Sequence, residues 1–261
     1  MGDLSTKEIE KFSKKILEDY DNKMPGSIFR EKKRINNEDA LLIQSNVAKL
    51  RKNRGEEVIG YKIGCVSKDT QKKMGFKQPA SGYLWNTELH KSKAKLNKKD
   101  FTNPAMEAEF GVILNRDIKS DLASFDYILQ SIEGVYPLIE IHNLVFYGSE
   151  PYGAELLANN AIHAGIVIGP KTKLPSEKVE TDLKLIYDKE IIDTWPDKKW
   201  PYDMLSEVQW LAKELAKINI TLKKNNLILT GAYGFPVPID NKELIEVTSS
   251  AFGNVKAIFN S

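Results

Sequence analysis

The sequence predicts an α+β fold, with a helical N-terminal layer over a strand-rich body, and three observations predict it. Residues 1–55 place apolar side chains at helical spacing. From residue 58 onward the apolar residues gather into short runs broken by turn residues. Helical stretches fall between those runs, and no repeat, low-complexity tract or linker divides the chain. Residues 1–55 are therefore read as a helical subregion and 56–261 as the body, within one domain spanning 1–261.

The elements follow in order. Ser5 and Glu8 have capping-box spacing, and Ile9, Phe12, Ile16 and Tyr20 then share one helical face. Residues 21–36 are polar, contain Pro25-Gly26 and read as a loop. A second helix starts after Asn37, runs through Leu41, Gln44, Val47 and Ala48, and stops at Gly55. Strands are expected over 58–66, 107–114, 135–141, 163–168 and 227–232. A hairpin is expected over 183–192, and a final pair over 244–248 and 255–259, turning near Gly253-Asn254. Helices are expected over 67–74 (ended by Gly75), 125–133, 154–161 and 202–217.

Composition narrows the function. The chain has 261 residues, with 38 basic against 36 acidic side chains and a net charge of +2. A chain this long buries roughly three quarters of its unfolded surface, so it needs no staple to fold. Near-neutral charge argues against nucleic acid as the main partner, because a phosphate footprint needs clustered positive charge. The lysine-rich stretch 91–99 lacks arginine and aromatic residues and reads as a solvated loop or edge. Cys65 is the only cysteine, which excludes an internal disulfide and a multi-cysteine zinc site. No apolar run approaches the ~18 residues of a membrane span. The first residues lack a signal peptide's basic start and apolar core, so the cytoplasm is the expected compartment.

The segment Met106-Glu107-Ala108-Glu109-Phe110-Gly111-Val112-Ile113-Leu114 carries the chemistry. Strand alternation puts Met106, Ala108, Phe110, Val112 and Leu114 on one apolar face. Glu107 and Glu109 share the other, about 7 Å apart. Alone, this also fits the solvent side of an edge strand. However, Gly111 and Ile113 continue the acidic face, so that face does not stay polar. Two carboxylates about 4 Å apart on a partly buried surface repel by about 4 kcal/mol at an effective dielectric near 20. Either one takes a proton or a cation sits between them. Glu140, in the otherwise apolar Leu138-Ile139-Glu140-Ile141, is a third such carboxylate, and with only five arginines in the chain a buried arginine partner is scarce. Three carboxylates form an all-oxygen site suited to Mg²⁺, Mn²⁺ or Ca²⁺.

In Gly60-Tyr61-Lys62-Ile63-Gly64, alternation places Lys62 between two glycines on its own face. This either presents a cation to a ligand or leaves an exposed lysine beside bulge glycines. The turn Thr230-Gly231-Ala232 can hold a carboxylate through its amides and hydroxyl, or can be an ordinary strand exit. Asn159-Asn160 at a helix end is equally open.

Taken in order, Gly60-Tyr61-Lys62-Ile63-Gly64 with Ser67-Lys68, Gln78-Pro79 with Gly82, Pro104 leading to Glu107-Ala108-Glu109, Leu138-Ile139-Glu140-Ile141, Ala158-Asn159-Asn160-Ala161 and Leu229-Thr230-Gly231-Ala232 form a set. It resembles the 2-keto-4-pentenoate hydratase and 4-oxalocrotonate decarboxylase family of the fumarylacetoacetate hydrolase superfamily, over most of the chain. The resemblance implies a mixed β-roll core and Mg²⁺ or Mn²⁺ held by Glu107, Glu109 and Glu140. It also implies a catalytic Lys62, usually a homo-oligomer, and 2-oxo or 2-hydroxy-dienoic acid substrates from meta-cleavage of aromatic rings. Thr230, Gly231, Ala232, Asn160 and Ser81 are the candidate substrate-binding residues.

The chain also departs from the family pattern. Gln78-Pro79-Ala80-Ser81-Gly82 stands where the family reads Gln-Pro-Asp-Phe-Gly, and Asn159-Asn160 replaces the usual Asp-Asn. Thr194-Trp195-Pro196-Asp197 and Trp200-Pro201 replace a glycine-rich stretch. The missing aspartate is a natural handler of water or of the migrating proton, and Ala80 can serve as neither.

The expected function is thus a metal-dependent hydratase. An oxalocrotonate-type decarboxylase is the runner-up within the class. An acylpyruvate carbon–carbon hydrolase is a third reading, weakened because His90, His142 and His163 all lie outside the N-terminal region where a water-activating histidine would sit. A non-catalytic 2-oxo acid binder is the fourth. His142, two positions from Glu140, is expected to pack or to support the site.

Overall fold

The computed structural model describes residues 2–31, 35–119 and 122–260. Helix α1 (Thr6–Asp21) starts on the expected capping box, Ser5 accepting from the Glu8 amide while Glu8 reaches back to the Ser5 amide. Ile9, Phe12 and Ile16 are buried along it. A short helix α2 (Ser27–Arg30) interrupts the expected loop, of which residues 32–34 lie outside the described residues. Helix α3 (Asn37–Asn53) is capped by Asn36 and packs on α1, burying Ala40, Ile43 and Ala48.

The body is built from two mixed sheets. Strands β1 (Val58–Gly64), β2 (Ala80–Trp85), β3 (Leu89–Lys91), β5 (Pro104–Leu114), β6 (Ile132–Asn143), β7 (His163–Ile168) and β10 (Leu227–Leu229) belong to the first, in spatial order β2-β1-β10-β5-β6-β7-β3. The two-residue β11 (Val237–Pro238) pairs with one end of β5. The second sheet runs β4 (Ala94–Asn97), β13 (Gly253–Asn260), β12 (Leu244–Ser249), β8 (Val179–Tyr187), β9 (Glu190–Trp200). The stretch 91–99, read as loop or edge, contributes β3 and β4 at the edges of the two sheets.

Helix α4 (Lys68–Met74) is capped by Ser67 and ended by a left-handed Gly75 as expected. Helix α5 (Phe125–Gln130) stops short of 133 because Ile132 already pairs in β6. Helix α6 (Gly153–Ala158) likewise ends early, where Asn160, Ala161 and Ile162 adopt left-handed backbone. The helix expected over 202–217 divides into α7 (Tyr202–Leu205) and α8 (Val208–Lys217). Strand β10 ends at Leu229 rather than 232, and Gly231, at φ +104, turns the chain away. The hairpin extends to Trp200 through Pro196, which is tolerated because β9 is a sheet edge.

The long β5–β6 ladder is the spine of the first sheet, and both of its faces are covered. Met106, Ala108, Phe110, Val112 and Leu114 enter the main core shared with the second sheet. On the other face Leu138 packs with Leu84, Ile166, Leu227, Leu229 and Ile113. The acidic side of β5 therefore runs into a second apolar cluster, as the presence of Gly111 and Ile113 on that face requires. Among the described residues no helix is long and apolar enough to cross a membrane.

Candidate active site

The register of the β5–β6 ladder sets Glu107 directly opposite Glu140. Like charges in directly opposed positions destabilise a sheet, so this pairing needs a compensating positive charge. One ligand atom from each of Glu107, Glu140 and His142 lies within 4.8 Å of the others. His142 follows Glu140 by two positions and so shares its face; its Nε2 lies 2.9 Å from Glu107 Oε2 and 3.4 Å from Glu140 Oε2. Glu109 lies outside that tight trio. Its carboxyl is buried and is influenced by both Glu140 and Glu107.

Lys62 reaches this group from β1, three strands from β6 in the sheet order. In a flat sheet those strands would lie about 14 Å apart. The first sheet curls, and Lys62 Nζ meets Glu140 Oε1 at 2.7 Å with the Ala161 carbonyl at 3.4 Å. The glycines around Lys62 serve different ends. A side chain on Gly60 would run into the Leu227 backbone of the parallel neighbour β10, whereas Gly82, the cross-strand partner of Lys62, leaves room for its aliphatic stem.

The electrostatics is uneven. Burial works to strip the Lys62 proton, but Glu140, then Glu107 and Glu109, outweigh it and raise its pKa above the ordinary lysine value. Burial also opposes the Glu140 charge; Lys62 and His142 overcome it and hold Glu140 well below the usual carboxylate range. His142 is pushed down by burial and up by Glu140, with a net rise. Lys62 also favours the Glu109 charge, but too weakly to prevail. Burial, then Glu140 and Glu107, drive the Glu109 pKa well up, and the nearby Gly231 amide favours its charge without hydrogen-bonding geometry to either oxygen. Both Glu109 oxygens, Glu140 Oε2 and His142 Nδ1 are buried and lack hydrogen-bond partners among the described residues. Buried polar atoms are normally satisfied, so orphaned carboxylate oxygens beside an opposed glutamate pair fit a divalent cation.

The cluster opens into a pocket of about 350 Å³ lined by Lys62, Glu107, His142 and Ala232, with apolar walls from Met74, Leu144, Phe146, Leu156 and Ile162. Of the substrate-binding candidates, Ala232 lines this pocket and Gly231 sits at Glu109. Thr230 spends its hydroxyl on the Phe110 carbonyl, at 3.0 Å. Asn160 spends its amide on the Tyr83 backbone, accepting from its N–H at 2.7 Å and donating to its carbonyl at 2.9 Å. These contacts tie both residues to the scaffold. Ser81 pairs with Ile63 and so lies on the sheet face opposite Lys62. It lines a different cleft, of about 820 Å³, bordered by α3 and α8. Ala80, on the Lys62 face, is buried in an apolar cluster with Leu157, Ala158 and Ala161.

Two histidines complete the site. His142 was expected only to pack or to support it, and it lies against Glu107 and Glu140. His163 is fully buried with Nδ1 2.6 Å from Glu140 Oε1. Alternation from Glu140 could have placed His142; nothing in the sequence places His163, because the β6–β7 register that sets it opposite His142, within reach of Glu140, is not readable there.

No protein-family model matches the sequence. The fold, mixed sheets curled around a carboxylate site, is shared with solved structures of low sequence identity. The similarity extends over nearly the whole chain to 4-oxalocrotonate decarboxylase from Pseudomonas putida G7, solved with magnesium and adipate, at 19% identity and a TM-score of 0.87, covering 98% of this chain and 99% of that one. In sequence the chain is 27% identical over 232 residues to the 2-keto-4-pentenoate hydratase of Paraburkholderia xenovorans (strain LB400), covering 87% of this chain and 85% of the relative. It is 24% identical to the 2-oxo-hept-4-ene-1,7-dioate hydratase of Escherichia coli, covering 85% and 86%. These relatives are of the family that the motifs resemble.

Proposed function

We propose that this chain is a divalent-metal-dependent hydratase acting on a 2-hydroxy- or 2-oxo-dienoic acid such as 2-keto-4-pentenoate. The observation that carries the reading is the carboxylate excess, half-buried Glu107 opposite buried Glu140 with buried Glu109 beside them and Lys62 Nζ 2.7 Å from Glu140. The hydratase names of its sequence relatives support the reaction class. Glu107, Glu109 and Glu140 are the residues that would hold Mg²⁺ or Mn²⁺. When bound, such an ion supplies a Lewis acid for a 2-oxo acid chelated through its carboxylate and 2-oxygen.

The remaining chemistry falls to the chain itself. Lys62, kept charged by the carboxylates, can give a proton to the far carbon of the dienol and take one back as an amine. The dienol gains a proton at C5 and loses its enol proton, giving a conjugated enone. Water then adds hydroxyl at C4 and hydrogen at C3, giving a 4-hydroxy-2-oxo acid. The apolar pocket walls cover the hydrocarbon part and limit bulk water.

A second reading, decarboxylation of an oxalocrotonate-type acid, is favoured by one observation. Ala80 puts an apolar group on the Lys62 face where the family carries an aspartate suited to handling water. The family resemblance also supports a cytoplasmic homo-oligomer, which size-exclusion chromatography with light scattering checks.

The deciding experiment incubates the purified chain with Mg²⁺ and 2-hydroxypenta-2,4-dienoate. Loss of the dienol absorbance that stops on chelation is expected. No loss with any dienoate overturns the hydratase reading, and trapped CO₂ from an oxalocrotonate-type substrate shifts it to decarboxylation.

A further inference from the structure

The pocket beside Lys62 is larger than the simplest dienoate needs. 2-Hydroxypenta-2,4-dienoate has eight non-hydrogen atoms, which fill only ~240 Å³ even at ~30 Å³ each, a water molecule's share of the liquid. The pocket holds about 350 Å³. With the acid end of the ligand at the glutamates, the surplus lies past C5, against Met74, Leu144, Phe146, Leu156 and Phe235.

The chain itself holds these walls in place. The segment between β6 and α6 carries Leu144 and Phe146, and the buried Glu155 of α6 ties it down. Glu155 Oε1 accepts from the Tyr147 amide at 2.8 Å and Oε2 from the Gly148 amide at 2.9 Å. The Phe146 ring packs on Tyr152, with centroids 5.0 Å apart. Away from the glutamates, charge is confined to the rim. Lys73 and Glu150 are exposed, one of each sign, and both also border the surface hollow outside. Lys73 Nζ lies over the Phe235 ring, 4.8 Å from its centroid. Among the described residues the other lysine lining the pocket is Lys62, which Glu140 holds. A second carboxylate set between these walls would lose its water without gaining an ionic partner, which is costly.

We propose that the far end of the pocket is a subsite for an uncharged alkyl or aryl substituent, so that the ligand is a 2-hydroxy-dienoic acid extended beyond C5. The inference rests on the hydratase reading for the acid end of the ligand and goes beyond it at the other end. Phe146, with Leu144 and Leu156, selects the substituent by covering it. Each methylene so covered is worth about fourfold in affinity, so a propyl substituent gains about fiftyfold over none.

The test has two arms. In the first, Mn²⁺-dependent binding of pyruvate, 2-oxopentanoate and 2-oxooctanoate, which carry no diene to hydrate, is followed by calorimetry. Affinity should rise about fourfold per methylene, and 2-oxooctanedioate should bind more weakly than 2-oxooctanoate. A flat series overturns the inference. Tighter binding of the dioate also overturns it and makes Lys73 the reader of a second carboxylate. Phe146→Ala should weaken 2-oxooctanoate about tenfold more than pyruvate; equal losses overturn the selection. Phe235→Ala, at the exposed rim, serves the same comparison if Phe146→Ala fails to fold. In the second arm, kcat/KM for 2-hydroxypenta-2,4-dienoate is set against that for its C5-propyl and C5-phenyl derivatives, which should exceed it; a fall overturns the inference. A rising 2-oxo acid series without turnover of any dienoate sinks the hydratase reading alone and sustains the subsite. Absence of binding by every 2-oxo acid overturns both.

Discussion

Two groups of buried and half-buried carboxylates are balanced differently. Against the helical layer, Glu56 and Glu88 are matched by guanidinium groups: Arg51 contacts both and Arg54 holds the other oxygen of Glu56 while reaching Asp21. At the candidate site, Glu140 meets Lys62 and His142 and Glu107 meets His142, while both oxygens of Glu109 stay without a hydrogen-bond partner among the described residues. The first group resembles an ordinary internal ion-pair network in which each carboxylate meets an arginine fork, although Glu88 Oε2 has no hydrogen-bond partner among the described residues. The second has more negative charge than its own cations offset. A buried glutamate is therefore weak evidence of a site; a local excess of buried glutamate is strong evidence.

The largest effect should come from breaking the unbalanced group. Glu140→Gln removes the partner of Lys62 and a proposed ligand together, and metal-dependent turnover is expected to fall roughly 10³-fold, with loss of the Mn²⁺ binding heat in calorimetry. Retained binding heat would erase the distinction between the two groups. Lys62→Met should lower kcat by ~10²–10⁴-fold while Mn²⁺ still binds, since removing a cation leaves the acidic excess larger; loss of Mn²⁺ affinity would instead make Lys62 a structural counter-ion. On the balanced side, Arg51→Met leaves Glu88 and part of Glu56 buried without their guanidinium, at a cost of about 3–5 kcal/mol. Urea unfolding should show that loss in both the presence and the absence of Mg²⁺.

The smallest effect, and the sharpest on the comparison, is in the pH dependence. The folded-state pKa of Glu109 is raised, whereas an unfolded glutamate titrates near about 4.3. A group raised in this way lends stability below the unfolded value and loses it as pH climbs through the folded value. Metal-free protein should therefore lose stability from about pH 5 upward, and Mg²⁺ should cancel that loss, worth about 2.7 kcal/mol at a hundred times its Kd. Differential scanning calorimetry with and without Mg²⁺ checks whether the gap widens with pH. A constant gap means that Glu109 stays ionised without the metal.

What could be read from the sequence follows from how locally each feature is encoded. Glu107, Glu109, Glu140 and Lys62 stood out because charge interrupted apolar alternation within a few residues. The histidines did not, because an imidazole inside a strand carries no comparable contradiction. His142 was within reach of the alternation argument applied to Lys62. His163, Glu88 and Arg51 were not, because they meet only through packing between strands and helices far apart in the chain. Strand β2 was not expected, and within it Gly82 stands where a Cβ would run into the Asn160 carbonyl and the Lys62 stem. Without that strand, the sequence could not show that Ser81 points away from the pocket.

The pairing of β5 with β6 also constrains how the chain can assemble. Shifting that ladder by one residue would turn Glu107 and Glu109, or Glu140 and His142, inward against Phe110, Val112 and their neighbours. Few mispaired hairpins could survive such a burial, so the acidic side chains proofread the alignment of the very strands that present them.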